Sequence, residues 1–348
     1  AGPSCRLRAL PPDETADETA TTSREVTMND IAFLFPGQGS QRPGMGRDLV
    51  ARRPDLADRY YGPADELLGF ELSKLCFEGS AEELLPTEIT QPAVFLTSIA
   101  VLDVLRGHGV TPSVAAGHSL GEYTALVCAG VLAWRDALRL VRRRGELMAR
   151  VNERTPGAMA AVIGLPAARV EELCARTRER TGAVVEIANY NDPAQQVVSG
   201  ERDAVREVAA AAKRLGAERT VALNVGAPFH CTLMGELEQE FAAELDAVEF
   251  RDPKLPVLAN VTASQVRTGA EARDCLRRQL AGAVRWEETL RAIAGRGVTS
   301  FVEAGPGRAL SGFCRTTLPD AACHPAGEAR RIDRFLNSWQ GPGSTPVE

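Results

Sequence analysis

The pentapeptide Gly117-His118-Ser119-Leu120-Gly121 constrains this chain more than any other feature. It stands between a short apolar stretch, Ser113-Val114-Ala115-Ala116, and a segment from Glu122 that reads as a helix through Ala125, Leu126 and Cys128. A G-x-S-x-G turn between strand and helix belongs to an α/β sheet whose strand ends carry chemistry. The glycines permit a tight turn with close backbone approach. Such a turn lifts the Ser119 hydroxyl clear of the sheet edge. It also aims the Leu120 N–H at the place where an oxyanion would form. The plainer alternative is a glycine-bounded helix start with Ser119 as a simple cap.

The remaining pattern agrees with an α/β chain. Ile31-Ala32-Phe33-Leu34-Phe35 is a continuous apolar run, as expected of a parallel-sheet strand buried on both faces. Helical patterns follow near 83–108 and 134–151, the second with Leu138, Leu140, Val141, Leu147 and Met148 on one face. The texture changes at Thr155-Pro156-Gly157. From there the reading is strand (Ala158–Ile163), helix (Ala167–Thr177), strand (Ala183–Asn189), strand (Gln196–Ser199), helix (Asp203–Leu215), strand (Arg219–Asn224). That βαββαβ order is the ferredoxin-like split motif. Strands near Val257–Asn260 and Ser300–Glu303 and a helix near Trp286–Ala294 then resume the first pattern. The expected fold class is α/β. An α/β-hydrolase-like large subdomain with a parallel sheet spans 29–155 and 226–325, and a ferredoxin-like small subdomain is inserted at 156–225. Residues 1–28, rich in Pro, Thr, Asp and Glu, read as a disordered tail. Residues 326–348 read as a loop-like C-terminal tail on which Phe335 and Trp339 could still dock. The chain does not begin with Met, which suggests a trimmed product with Met28 near a natural start.

Composition removes several classes. Forty Lys and Arg against 46 Asp and Glu give a net charge of −6, the wrong sign for a nucleic-acid partner. No run of 18 apolar residues suggests a membrane span, and no basic start followed by an apolar stretch suggests a secretory signal. The eight cysteines are scattered without a C-x-x-C pair, so reduced thiols and a cytoplasmic location are expected. The four histidines show no metal-ligand spacing, and the adjacent Cys323-His324 has no second pair. No metal and no cofactor is expected.

A serine nucleophile needs a base. His230, in Gly226-Ala227-Pro228-Phe229-His230-Cys231, is best placed, where the inserted subdomain returns to the main sheet. Taken alone it could equally be a buried structural histidine. His118 reads as a packing or positioning residue, because the elbow aims it away from its neighbour's side chain. Phe35-Pro36-Gly37-Gln38-Gly39-Ser40-Gln41 follows the first strand. It lacks the third glycine of a dinucleotide fingerprint and the Lys-Ser/Thr of a P-loop. A Gly-rich loop there still lies on the ligand face of an open α/β sheet.

Together, Phe35–Gln41 (FPGQGSQ), Gly117–Tyr123 (GHSLGEY), Pro228-Phe229-His230 and Glu303–Gly307 (EAGPG) resemble the malonyl-CoA:acyl-carrier-protein transacylase family over about residues 30–318. The resemblance implies Ser119 as nucleophile and His230 as general base. It implies Gln38 and the Leu120 N–H as oxyanion donors, and the Gln279 backbone carbonyl as the group that orients the histidine. Arg144, in a run of three arginines, takes the position that binds the free carboxylate of the acyl group. Asn189, Asn191 and Gln196 fall in the subdomain segment that faces the cleft, and no acidic third member of a triad is evident. Leu120 and Phe229 look like the malonyl-selecting form, Phe229 crowding a C2 methyl.

The implied partners are malonyl-CoA and an acyl carrier protein, the latter docking on basic patches such as Lys213-Arg214. A discrete monomer loading carriers in trans, for polyketide or fatty-acid synthesis, is expected. Its Ala/Arg-rich composition makes secondary metabolism plausible. Three alternatives stand beside this reading. One is an editing acyl-thioester hydrolase, against which Arg144 counts. Another is an acyltransferase for methylmalonyl-CoA, and the last is a non-catalytic carrier-binding module.

Overall fold

A computed structural model of the chain describes residues 31–154, 156–225 and 227–339. The tail expected over 1–28 lies outside these residues. In chain order the strands are β1 (Ile31–Phe35), β2 (Val114–Gly117), β3 (Gly157–Ile163), β4 (Val185–Asp192), β5 (Gln195–Glu201), β6 (Arg219–Ala222), β7 (Val257–Leu258), β8 (Gln265–Val266), β9 (Val284–Arg285), β10 (Ser300–Glu303) and β11 (Ala322–Pro325).

Two sheets result. The larger has the order β11-β10-β1-β2-β7-β8 and is parallel except for the terminal β7–β8 pair. Its central strands are buried on both faces, as their unbroken apolar runs require. Phe33, Phe35 and Ala115 point into the main core, while Ala32, Leu34, Val114 and Ala116 point into a second core beneath Trp286, Leu290 and Ile293. The smaller sheet has the order β6-β3-β5-β4-β9. Its first four strands, renumbered within the insertion, run 4-1-3-2 and are antiparallel, the ferredoxin-like order. Helices Ala167–Thr181 and Arg202–Arg214 cover one face through Val162, Val170, Val198 and Val208. The other face, with Met159, Ala161, Ala188 and Val197, joins the main core.

The fifth strand, β9, comes from the second large-subdomain segment and pairs parallel to β4. The two subdomains therefore share a sheet as well as a core.

The fold class matches the expectation; the C-terminal reading does not. Where a loop-like tail was expected, Ala329–Ser338 is a helix with Ala329, Ile332 and Phe335 buried. Those residues recur at helical spacing, and Phe335 packs on His324 of β11 and on Trp339. Packing on an edge strand stabilises a segment whose charged composition alone argues for a loop.

One helix, Thr87–Gly107, has the length and hydropathy of a membrane span, yet 83% of its most apolar window is buried inside this fold. Among the described residues, no cluster of three or more His, Cys, Asp or Glu could hold a metal ion.

Candidate active site

The site forms at the C-terminal ends of the large parallel sheet, where open α/β sheets bind ligands. Ser119 follows β2, the Gln38 loop follows β1, Asn260 follows β7, and Gly305-Pro306-Gly307 follows β10. Ser119 has φ 52° and His230 φ 58°, both in the left-handed region that residues with a side chain rarely occupy. Such strain persists only where the surroundings hold it, and it concentrates at functional sites.

Ser119 and His230, 111 positions apart, meet. Ser119 Oγ donates to His230 Nε2 at 2.7 Å, and His230 Nδ1 lies 2.8 Å from the Gln279 carbonyl oxygen. A carbonyl only accepts, so Nδ1 carries the proton and Nε2 presents its lone pair to the serine. Burial and then the charge of Arg144 press the His230 pKa down to about 3. The imidazole is neutral at pH 7, the state a base needs. Among the described residues no carboxylate completes a triad; the Gln279 backbone carbonyl fixes the tautomer.

Arg144 lies on the helix Trp134–Arg154, and its side chain is 1% exposed. The next residue, Gly145, lets this helix approach closely, since a Cβ there would stand 2.8 Å from the Glu88 Cα. Across that contact Arg144 Nη1 donates to Gln91 Oε1 at 2.8 Å. Nη2 donates to Ser119 Oγ at 3.1 Å and to Gln279 Oε1 at 3.0 Å. Nε has no partner among the described residues. The result is a desolvated guanidinium beside the serine hydroxyl, suited to a small anionic group. Neighbouring Arg142 and Arg143 instead pair with Glu146 and with Glu240 and Glu244 near the surface.

Leu120 is buried at the start of helix Gly121–Cys128, and its N–H meets no acceptor among the described residues. The same holds for the N–H of Gln38, whose side chain donates to Thr87 Oγ1 at 3.2 Å. The Gln38 side-chain amide carries a second N–H, so both it and the backbone N–H are donors open to an oxyanion. Phe229 is 6% exposed and packs in the main core directly before His230.

His118 turns away from Ser119, as expected. It stacks edge-on against Trp286, and its Nε2 lies 2.8 Å from Asn191 Oδ1, tying the elbow to the small subdomain. Asn189 and Gln196 are buried in the small sheet, where Gln196 Nε2 donates to the Asp192 carbonyl at 3.0 Å. Neither is bonded to Ser119, His230 or Arg144 among the described residues.

Three polar residues at the site went unread in the sequence: Gln91, Glu122 and Asn260. Each is buried and each bonds the machinery directly or through one neighbour. Glu122 was visible as the residue after G-x-S-x-G, and Asn260 as a polar residue at a strand's C-terminal end. Gln91 gave no signal beyond being polar in an apolar helix.

Comparison with known proteins agrees with this geometry. The model of the acyl transferase domain matches residues 32–331. The malonyl CoA-acyl carrier protein transacylase of Bacillus subtilis (strain 168) is 45% identical over 291 residues, covering 83% of this chain and 90% of that one. The corresponding protein of Escherichia coli (strain K12) is 42% identical over 289 residues, covering 83% and 93%. Among solved structures, a malonyl-transacylase determined in complex with its type II polyketide-synthase acyl-carrier protein superposes with a TM-score of 0.85 at 37% identity, covering 89% of this chain and all of that one. An acyl carrier protein S-malonyltransferase from Vibrio cholerae O1 gives 0.83 at 37% identity, covering 88% and 99%. Sequence, fold and the approach of residues 119 and 230 converge, and the chain belongs to the malonyl-CoA:acyl-carrier-protein transacylase family of acyl transferase domains.

Proposed function

We propose that this chain transfers malonyl from malonyl-CoA to the phosphopantetheine thiol of an acyl carrier protein through a malonyl-serine intermediate. The observation that carries this reading is the 2.7 Å contact of Ser119 Oγ with His230 Nε2, with Arg144 Nη2 3.1 Å from the same oxygen. A serine–base pair performs acyl transfer, and the buried cation selects an acyl group that is itself an anion.

In this mechanism His230 Nε2 takes the Ser119 proton as Oγ attacks the thioester carbonyl. The oxyanion is held by the N–H groups of Leu120 and Gln38; one such donor contributes on the order of 3 kcal/mol. Collapse expels the CoA thiolate, which takes the proton from His230. The malonyl ester stays on Ser119 with its carboxylate on Arg144, whose planar fork binds a carboxylate bidentately. The carrier's thiol then gives its proton to His230 and attacks the ester, and Ser119 recovers the proton as it leaves. Phe229 narrows the acyl pocket against a C2 methyl. Asn191 supports the elbow through His118, and Asn189 and Gln196 shape the small-subdomain wall.

Every side chain used comes from one chain, so a monomer suffices. The scattered cysteines, without the spacing of a disulfide framework, fit a cytoplasmic enzyme. The test is product partition: with malonyl-CoA and holo-carrier, malonyl-carrier accumulates and free malonate does not. Dominant malonate would instead favour the hydrolase reading.

A further inference from the structure

Ser119 contributes two peptide groups to the elbow, and the chemistry depends on how both are turned. The peptide before it carries the Ser119 N–H; the peptide after it carries the Ser119 carbonyl and the Leu120 N–H. Each is gripped from outside the turn. Asn260 Oδ1 accepts the Ser119 N–H at 2.6 Å, while Asn260 Nδ2 donates to the Gly117 carbonyl at 2.6 Å. The side-chain amide of Gln279 donates to the Ser119 carbonyl at 3.0 Å. Carbonyl and N–H of one trans peptide point in opposite directions. Holding the Ser119 carbonyl on the protein side therefore turns the Leu120 N–H toward the cleft.

Glu122 is the shared acceptor beneath both grips. Its Oε2 takes the Asn260 backbone N–H at 3.0 Å and Gln279 Nε2 at 2.7 Å. The carboxyl is 1% exposed and touches neither Ser119 Oγ nor His230, so it moves no proton in the reaction.

We propose that Asn260 and Glu122 are positioning residues: together with the Gln279 side chain they clamp the strained Ser119 backbone and thereby aim the oxyanion-binding N–H of Leu120. This rests on the acyl-transfer reading of Ser119. The clamp acts on the transition state, because an oxyanion exists only there, so its loss lowers kcat and spares ground-state binding.

The test is steady-state malonyl transfer by the full chain from malonyl-CoA to holo-carrier, with labelling of Ser119 by a fluorophosphonate in parallel. Asn260→Ala lowers kcat about 10- to 100-fold, up to the cost of one oxyanion donor. The malonyl-CoA KM stays within about threefold, and the pH midpoint of the His230 limb does not move. Fluorophosphonate labelling slows in step with transfer.

Should Asn260→Ala not fold, Glu122 gives the second reading. Glu122→Leu shows the same split of kcat from KM, and Glu122→Gln, which keeps an acceptor oxygen, recovers most of the rate. The inference is overturned if folded Asn260→Ala keeps kcat within about threefold of the native chain. It is also overturned if Glu122→Leu and Glu122→Gln are equally active, or if KM rises in place of the fall in kcat. Native protein that neither transfers malonyl nor labels would overturn the acyl-transfer reading itself.

Discussion

At the scale of single residues, the site divides by how a side chain earns its place. Ser119 and His230 are legible in the sequence because each sits in a motif whose chemistry requires that residue type, whereas Arg144 enters through its position in the resemblance. Arg144 shows the limit: composition cannot separate it from Arg142 and Arg143, and only burial makes it a site residue while the other two form surface pairs. Gln91, Glu122 and Asn260 stayed hidden because their role lies in hydrogen bonds between elements distant in the chain.

Two substitutions follow from this layout. Arg144→Ala removes the only cation bonded to Ser119 among the described residues. Steady-state transfer from malonyl-CoA should fall about 100-fold or more, the order expected for losing a charge-assisted pair. Transfer from acetyl-CoA, which has no carboxylate to hold, should fall far less. Equal losses would deny Arg144 its carboxylate. On the proposed role of Phe229 in narrowing the acyl pocket, Phe229→Ser makes room for a C2 methyl, and a methyl group contributes about 1–3 kcal/mol of discrimination. Competition between malonyl- and methylmalonyl-CoA should then shift toward methylmalonyl about tenfold or more; an unchanged ratio would place selectivity elsewhere.

At the scale of elements, the elbow works because strand and helix approach more closely than side chains allow. A Cβ on Gly121 would overlap the Phe35 carbonyl, and one on Gly117 would overlap the Gly121 carbonyl. Gly121→Ala must push the helix Gly121–Cys128 off β1, so stability should drop by about 1–3 kcal/mol or more, the usual cost of overpacking. The midpoint of urea unfolding measures this; a midpoint within error of the native chain would mean the contact is soft. Element reading succeeded where periodicity was strong: β1, β10 and the helix Trp286–Ala294 fall at their expected positions. It failed for the two-residue strands β8 and β9, which carry no pattern of their own and exist because a neighbouring strand offers partners. It failed also for Ala329–Ser338, whose order comes from packing and not from propensity.

At the scale of the whole molecule, the buried site sets how stability varies with pH. Burial lowers His230 to about 3 and His118 to about 4, so the unfolded chain binds their protons first as pH falls. Their contribution is complete above the unfolded histidine range and is lost progressively below about pH 6.5. Glu122 acts oppositely: burial raises it to about 7, so its contribution weakens as pH rises from about 4.5 toward 7. Burial lowers His324 in the same sense as the other two histidines, and raises the carboxyls of Glu303 and Asp192 in the same sense as Glu122, so the two sets oppose each other across this range. Denaturant unfolding of the native chain and of His230→Gln, compared between about pH 4.5 and 6.5, should show stability rising less with pH in the variant; an unchanged dependence would mean that His230 is not held neutral. The large sheet with its ferredoxin-like insertion was legible because alternating element types permit few topologies. The sharing of the small sheet with β9 was not, since it depends on tertiary pairing alone.

The central claim is that Ser119 is acylated by virtue of its contact with His230. Its most direct test is mass spectrometry of the native chain quenched seconds after mixing with malonyl-CoA and no carrier. One malonyl group per chain is expected, mapped by proteolysis to Ser119, absent in Ser119→Ala and discharged by holo-carrier thiol. A malonyl group on another residue, or one that persists in Ser119→Ala, would contradict the account.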